Sequence, residues 1–275
     1  MHLFSYRKAP QVSFPGPFED CLTVTRGVLQ RADDFRILAG KLIVGGDGAG
    51  ANLAAAVANT LKNEIWVQFL VNPVLQVIDF ETPSYQEHEE EFPGLSSAFR
   101  AVYHWLSYAG ISQDFLQFAL QNRHISSKTR RSPVSSFINS EKYLPKHLKV
   151  TDKDTKSLKS GANFIVTTAF DSIATEPKFS PMLAVNVEGT PMTYMITSQY
   201  DVHRDEGIMY AQRLHEARVQ VKLEHYYESF HGFLLYSGYG PIKLNVGNRA
   251  LVDFTRYLQE ILGIKNSSLV LEKLI

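Results

Sequence analysis

Four short segments of the chain are rich in β-branched and aromatic residues, and each is followed by a turn or a helical pattern. They occupy residues 41–45, 64–71, 191–198 and 219–227. Continuous apolar runs of this length, bounded by turn residues, are typical of buried strands. Because they alternate with helical patterns, they predict an α/β fold with a mainly parallel sheet covered by helices on both faces.

Helical spacing predicts helices at about 49–62, 206–217 and 250–262. The last helix is expected to bury one face, formed by Leu251, Phe254, Leu258 and Ile261. Between about 80 and 185 the alternation stops, and a predicted helix pair (95–108 and 113–122) precedes Ser-, Lys- and Pro-rich connections. We interpret this stretch as a helical cap inserted on the sheet of a single domain spanning 1–275.

Four aromatic residues of the insertion have helical spacing and admit two interpretations. Core packing is favoured, and the wall of a substrate pocket is the alternative. They are Trp105, Tyr108, Phe115 and Phe118.

Charge, cysteine content and hydropathy argue against a nucleic-acid-binding protein, a disulfide-stabilised fold and a membrane-spanning chain. Lys+Arg and Asp+Glu both number 28 in 275 residues, and no stretch is basic enough to indicate a nucleic-acid partner. Cys21 is the only cysteine, so an internal disulfide is excluded. No run of about 20 apolar residues predicts a membrane span in this chain. We predict neither a cofactor nor a metal site.

The stretch KLIVGGDGAGANLAAAVA, residues 41–58, predicts a strand, a tight glycine turn and a helix. The turn fits a dinucleotide loop (G-x-G-x-x-A) and also a nucleophile elbow (G-x-S-x-G) with Gly48 at the serine position. A dinucleotide site needs an acid about 20 residues on, at the end of the next strand. That strand ends in Val71-Asn72-Pro73, and Asp79 lies 33 residues past Gly46. The elbow is therefore favoured.

An elbow holds its central residue at positive φ and needs tiny residues two positions before and after it, here Gly46 and Gly50. Its partners follow later in the chain, acid before histidine, each after a strand. Asp201 and His231 meet that order. Ser198 and Ser229 lie near these turns, but neither sits on an elbow. We expect Asp205 to cap the helix that follows, and His203 to lie on the surface.

Four separate motifs resemble the arylacetamide deacetylase-like proteins, in the hormone-sensitive-lipase-like branch of the α/β-hydrolases. YRKAP at 6–10, with FP at 14–15 and ED at 19–20, is similar to the family's Y-R-x-A-P…F-P…E-D segment. GDGAGANLA at 46–54 resembles its G-D-S-A-G-G-N-L-A elbow. YDVHRDEG at 200–207 resembles Y-D-x-L-R-D-E-G, and FHGF at 230–233 matches the histidine turn.

The resemblance implies a three-layer hydrolase fold with a helical cap over the acyl pocket. It also implies an Asp201–His231 pair and an oxyanion donor at the Ala49 N–H. The family's H-G-G-G loop, earlier strands and membrane anchor lie upstream of Y-R-x-A-P, so we expect them to be absent and the sheet to be N-terminally truncated. About five strands are expected, the first over 1–6, which either pairs with 41–45 or leaves a gap.

Gly48 cannot attack an acyl carbonyl, so the sequence predicts a carboxylic ester hydrolase scaffold with impaired catalysis, binding a small lipophilic or acyl-containing ligand. The alternatives are an active carboxylesterase or deacetylase relying on Asp201 and His231, and an NAD(P)-binding oxidoreductase. Relatives of this kind resemble endoplasmic-reticulum membrane proteins with lumenal catalytic domains. A chain without the anchor is expected to be soluble and cytoplasmic, so the compartment stays open.

Overall fold

A four-stranded parallel sheet forms the centre of the computed structural model, which describes residues 2–38, 40–88, 97–149, 164–238 and 243–264. Its strands lie in chain order, and all three pairings are parallel. The strands are β1 (Ile43–Asp47), β2 (Val67–Val71), β3 (Met192–Tyr200) and β4 (Val221–Phe230). Each coincides with a predicted strand to within three residues at either end, and the α/β prediction is confirmed.

The predicted strand over residues 1–6 is wrong for the described residues 2–6. These residues have no strand pairing, and β1 is paired on one side only, with Ile43 opposite Val67. The described part of the sheet therefore has four strands rather than five, with β1 at one edge. Tyr6 instead packs against an apolar cluster that includes Phe18 and Leu53.

Helices surround the sheet and fill the long connection between β2 and β3. They are α1 (Gly16–Gln30), α2 (Ala49–Leu61), α3 (Pro83–Glu87), α4 (Ala98–Ala109), α5 (Leu116–Leu120), α6 (Ser127–Arg130), α7 (Ser140–Tyr143), α8 (Phe164–Asp171), α9 (Arg204–Glu216) and α10 (Asn245–Ile261). The helix predicted over 113–122 is a 3₁₀ turn followed by the short α5. The lysine-rich connection over 150–163 lies outside the described residues.

The helices form a layer on each side of the sheet. On one face, small residues of α2 such as Ala55 pack with Leu70 and Met195 of the sheet and with Met209 of α9. On the other face, Tyr257 of α10 packs against sheet residues. Three layers result, as the hydrolase resemblance implies.

The buried face of α10 differs from the predicted one at a single position. Phe254, Leu258 and Ile261 pack against the sheet cluster, but Leu251 is 42% exposed. Ala250, one residue earlier, takes the inward position and is buried. A step of one residue turns the side chain by about 100° on a helix, which places Leu251 beside the stripe rather than in it.

The segment between β2 and β3 carries an apolar cluster of its own, centred on Trp105, Phe170 and Phe179. Phe115 and Phe118 pack against this cluster, as core packing predicted. In the described part of the chain, no helix combines the length and apolar character needed to cross a membrane.

Candidate active site

The glycine turn joins the end of β1 directly to the start of α2. Gly48 lies at φ +56° and ψ −114°, in the positive-φ region that non-glycine residues rarely adopt. Its N–H donates to the Val71 carbonyl (2.9 Å), and its own carbonyl accepts from the Asn52 N–H (3.1 Å). The backbone at position 48 therefore has the strained conformation that an elbow requires.

The two flanking glycines differ in what they tolerate. A Cβ on Gly46 would lie 2.3 Å from the Gly50 carbonyl carbon, so only glycine fits there. A Cβ on Gly50 would meet nothing within 4 Å. The sequence prediction that both positions must be tiny holds at Gly46 and is wrong at Gly50, because the close approach involves the Gly50 backbone rather than its missing side chain.

Ala49, the expected oxyanion donor, is the first residue of α2. The first N–H groups of a helix have no intrahelical acceptor, so the Ala49 N–H is available to a ligand at this end of the helix. Ala49 also lines the cavity above the turn.

Asp201 follows β3, and His231 follows β4, each at the carboxyl end of its strand. Asp201 Oδ2 accepts a hydrogen bond from His231 Nδ1 (2.9 Å), and Asp201 Oδ1 accepts from the His203 N–H (2.9 Å). His231 Nε2 lies 2.8 Å from the position that a Cβ on Gly48 would occupy. The structure thus brings the three predicted side-chain positions together at one edge of the sheet.

The two members of the pair shift each other's pKa in opposite directions. Burial opposes the charged form of His231, but the Asp201 carboxylate outweighs it and raises the pKa of the imidazole to about 9. Burial likewise opposes ionisation of Asp201, and His231 nevertheless holds the pKa of that carboxyl below its usual value. At neutral pH the pair is an aspartate and an imidazolium.

His203 is buried, so the prediction that it lies on the surface is wrong. Its Nδ1 lies 3.1 Å from Glu206 Oε1 and 3.3 Å from the Tyr85 hydroxyl, and its ring centroid is 5.6 Å from that of His231. The surface prediction came from the resemblance, because the family usually has an apolar residue where this chain has His203. The signal was its position three residues before Glu206, on the same side of the helix start.

Asp205 does not cap its own helix, contrary to the prediction. Its Oδ1 accepts from Arg204 Nε (3.0 Å), and its Oδ2 accepts from the Ser84 N–H (2.7 Å) at the start of α3. Burial raises the pKa of Asp205 against the opposing effect of Arg204. The carboxylate therefore joins two helices.

Asp47 lies next to Gly48 and was not singled out from the sequence. Its Oδ1 is buried without a hydrogen-bond partner among the described residues. Burial raises the pKa of Asp47, and the nearby His231 opposes that shift. The residue contributes a partly buried carboxyl to the surroundings of His231.

The two serines near the acid and histidine turns are buried in a polar chain inside the sheet. Ser229 Oγ donates to Ser198 Oγ (2.7 Å), which donates to Asn72 Oδ1 (3.0 Å). Neither is on the elbow, in agreement with the sequence analysis. Asn72 also stands at the tip of β2, where a dinucleotide site needs an acid, and Asp79 instead accepts from Asn122 Nδ2 (2.8 Å). The dinucleotide interpretation therefore lacks its ribose-binding group.

A cavity of about 510 Å³ opens above the turn. Its apolar lining includes Leu53, Trp105 and Tyr108. Trp105 and Tyr108 also pack in the apolar cluster of the segment between β2 and β3, so they are both core residues and part of the cavity wall. Its polar lining includes five basic or histidine side chains. These are Lys8, Arg100, His104, His203 and His231. Among the described residues, no group of three or more His, Cys, Asp or Glu side chains is arranged to hold a metal ion.

The chain matches the sequence pattern of a protein family described as alpha/beta hydrolase fold, over residues 2–126 and 120–235. It is 34% identical over 268 residues to neutral cholesterol ester hydrolase 1 of Mus musculus, covering 93% of this chain and 64% of that protein. It is 35% identical over 266 residues to arylacetamide deacetylase of Bos taurus, with the same coverage. The chain thus spans 64% of the length of these curated relatives.

Solved structures agree on the fold. A hyperthermophilic esterase from the archaeon Pyrobaculum calidifontis matches with a TM-score of 0.61 and 22% identity, covering 94% of this chain and 63% of the esterase. A fungal esterase from Rhizomucor miehei matches with a TM-score of 0.61 and 23% identity, covering 95% and 64%. The family match over residues 2–126 and 120–235, together with the elbow, the acid turn and the histidine turn, shows that the chain belongs to the α/β-hydrolase family, and within it the chain is similar to arylacetamide deacetylase and neutral cholesterol ester hydrolase.

Proposed function

We propose that the chain is a carboxylic ester hydrolase scaffold that binds a small lipophilic or acyl-containing molecule and has lost serine-dependent hydrolysis. The observation that carries this proposal is the glycine at the elbow. Gly48 adopts the strained elbow backbone, and His231 Nε2 lies 2.8 Å from its Cβ position, but no side chain is there to be activated.

The chemistry of acyl transfer explains why this substitution matters. In a triad, a hydroxyl attacks the carbonyl, the histidine takes its proton, and the aspartate orients and stabilises the imidazolium. Gly48 has no atom that forms an acyl-enzyme. Loss of the serine from such a triad lowers turnover by about 10⁶, or roughly 8 kcal/mol of barrier.

The cavity supports the binding part of the proposal. Pockets of about 300–1,000 Å³ with mainly apolar walls and a few polar groups are typical of sites for small molecules. The cavity above Gly48 falls in this range, and its walls include Trp105 and Tyr108. The names of the relatives, a cholesterol ester hydrolase and an arylacetamide deacetylase, point to lipophilic acyl compounds.

A second candidate, slow hydrolysis by a water that the Asp201–His231 pair activates, is favoured by the 2.9 Å hydrogen bond of that pair. A general base must be unprotonated to accept a proton. The pKa of His231, about 9, leaves the ring protonated at neutral pH. Any such activity is therefore expected to increase as the pH approaches 9. The leading proposal instead expects no turnover that depends on His231 at either pH.

Hydrolysis of p-nitrophenyl acetate and butyrate at pH 7 and pH 9 tests both. We expect the wild-type protein to show only the background rate, unchanged in His231→Ala. His225→Ala is the matched control, because burial lowers the pKa of His225 to about 4 and its ring nitrogens contact Thr197 and Gln199 instead. Turnover that disappears in His231→Ala and persists in His225→Ala would show that the chain is an active hydrolase.

A further inference from the structure

We propose that the cavity above Gly48 is a binding site for lipophilic monocarboxylates, with the carboxylate beside His231 and the hydrocarbon part against Trp105 and Tyr108. The inference rests on the proposed function, because a serine-dependent enzyme would turn over acyl esters in this cavity. It adds the charge of the ligand, an anion rather than a neutral ester or a cation.

The charged and titratable side chains of the lining favour an anion. Lys8, Arg100 and the three histidines line the cavity, and no Asp or Glu is among the described lining residues. Burial and the nearby Arg100 lower the pKa of His104, so the positive charge of the lining comes from Lys8, Arg100 and His231. A cavity lined by groups of one sign attracts ligands of the opposite sign. A ligand with one negative charge is therefore favoured over a neutral ligand of the same size, and a cation is disfavoured.

The position of His231 places a donor where the carboxylate is needed. Its Nδ1 donates to Asp201, so Nε2 is the ring nitrogen beside Gly48. In a triad the serine side chain fills the space beside Nε2 and donates its hydroxyl proton to that nitrogen. Glycine leaves this space open, so the Nε2–H of the imidazolium can donate to a ligand oxygen. The Ala49 N–H at the start of α2 lines the same cavity and is a second donor for the second oxygen.

The groups around His231 keep its ring charged at neutral pH. Asp201 after β3, Asp47 at the end of β1 and Glu206 on α9 each raise its pKa, and burial opposes them. Two further histidines, His203 and His104 of α4, share the cavity. Glu206 Oε2 already accepts hydrogen bonds from the Leu75 and Gln76 N–H groups, and burial raises the pKa of Asp47. Neither carboxyl group therefore competes with a ligand carboxylate for the Nε2–H of His231.

The apolar part of the cavity is backed by aromatic packing and offers a surface for a hydrocarbon body. The Tyr108 ring stacks on Phe179 with centroids 5.0 Å apart, and Trp105 packs against Phe179 at 4.9 Å. Leu53 of α2 completes this wall. A carboxylate beside the His231 imidazolium forms a hydrogen bond in which both partners are charged, so the same hydrocarbon body binds more tightly as a carboxylate than as an alcohol or ester.

Isothermal titration at pH 7 with decanoate, decanol and decyltrimethylammonium tests the charge of the ligand. We expect decanoate to bind about tenfold more tightly than decanol, the effect of one charged hydrogen bond, and the cation not to bind. His231→Gln is expected to lower the affinity for decanoate about tenfold and to leave decanol unchanged. His225→Gln is the matched control and should change neither.

A pH series on the wild-type protein gives a measurement that does not depend on the variant folding. Decanoate stays ionised between pH 7 and pH 10, so its affinity should fall through about pH 9 as His231 loses its proton. In His231→Gln the affinity should not change over this range.

The outcomes separate this inference from the proposed function. Decanol binding as tightly as decanoate, with no effect of His231→Gln, would overturn the carboxylate site and leave a neutral lipophile site standing. Failure of all three probes to bind would overturn both the carboxylate site and the binding part of the proposed function. Ester turnover that depends on His231 would overturn the proposed loss of catalysis, whatever the three probes show.

Discussion

At position 48, a single glycine sets both the backbone and the chemistry of the site. With φ at +56°, the residue occupies a conformation that strains any side chain, and a Cβ there would press on the imidazole of His231. In an active enzyme the backbone strain and the close contact with the histidine are tolerated, because the serine side chain is needed for the reaction. Glycine removes both, which is consistent with the proposed loss of serine-dependent hydrolysis.

Gly48→Ala is therefore expected to lower the free energy of unfolding by about 1–3 kcal/mol. The matched control is Gly50→Ala, two residues later in α2, where a Cβ meets nothing within 4 Å. A helical glycine replaced by alanine gains about 0.5–1 kcal/mol, so the control should stabilise. Urea unfolding of both variants measures the difference. Equal effects of the two substitutions would show that the turn at 48 is not strained.

His231 couples the stability of the fold to pH. Its folded-state pKa of about 9 lies above the ordinary value of about 6.5, so the folded protein holds a proton that the unfolded chain releases. This stabilisation is complete below about pH 6.5 and is lost as the pH rises through about 9. The full difference is on the order of 3 kcal/mol.

Unfolding free energies between pH 6 and pH 10 test this coupling. The wild-type curve should fall more steeply with pH than the curve of His231→Gln. His225→Gln should keep the wild-type slope, because burial lowers the pKa of His225 to about 4 and its ring does not titrate in this range. Identical slopes for wild type and His231→Gln would mean that folding does not raise the pKa of the His231 ring.

The positions of the acid and the histidine of the candidate site could be predicted from their order along the chain. Asp201 and His231 were located because each follows a strand, and parallel strands bring their carboxyl ends to one edge of the sheet. His203 and Asp205 were misplaced because burial of charged residues cannot be read from their own type. The charges at the start of α9 are neutralised by partners up to 117 residues away, as between Arg204 and Glu87.

Among the elements, α9 ties the sheet to the segment that follows β2. Arg204 Nη1 donates to Glu87 Oε2 of α3 (2.8 Å), and its Nε donates to Asp205 Oδ1 (3.0 Å). Glu206 Oε2 accepts from the Leu75 N–H (2.5 Å). These contacts hold α3 and the residues that follow β2 against α9, the helix that begins directly after the turn with Asp201.

Arg204→Met should cost about 3–5 kcal/mol of unfolding free energy, because it leaves the buried Asp205 carboxylate without its cation. The Arg204 side chain is fully buried. Arg249 forms an ion pair with Glu228 in which both side chains are about half exposed. Arg249→Met is the matched control and should cost less than about 1 kcal/mol. Comparable losses in the two variants would show that the α9 network does not stabilise α3.

Elements with strong periodic or continuous apolar patterns were predictable, and weaker ones were not. The four strands are confirmed, and the continuous apolar runs of β2 and β3 are largely buried in the middle of the sheet. The edge strands β1 and β4 are only partly buried, so they depart from the predicted burial although their positions agree. Helix α1 (Gly16–Gln30) was not predicted, since just two of its four buried residues, Phe18 and Cys21, are large or apolar enough to mark a helical stripe beside Pro17 and Thr25, and a glycine interrupts it at position 27. In α10, the buried stripe passes through Ala250, which carries a weaker apolar signal than the exposed Leu251 beside it.

At the scale of the whole molecule, the sheet of the described residues ends at β1. A strand over residues 1–6 was expected from family resemblance rather than from the pattern of the residues themselves. In the structure, residues 2–6 lie outside the sheet, and Tyr6 and Lys8 contribute instead to the cavity lining. Tyr6, from the segment that was expected to extend the sheet, therefore lines the cavity instead.

The sheet edge gives a prediction for hydrogen exchange. Strands β2 and β3 are paired on both sides, whereas β1 is paired with β2 alone, so roughly half of the β1 amides point away from a partner strand. Deuterium uptake measured by mass spectrometry should be fast for about half of the amides in 43–47 and slow throughout 67–71 and 192–198. The other edge, β4, is the internal control and should show the same half-protected pattern. If 43–47 is protected as fully as 67–71 while β4 is not, a further strand covers the β1 edge in solution, and the four-stranded sheet is part of a larger one.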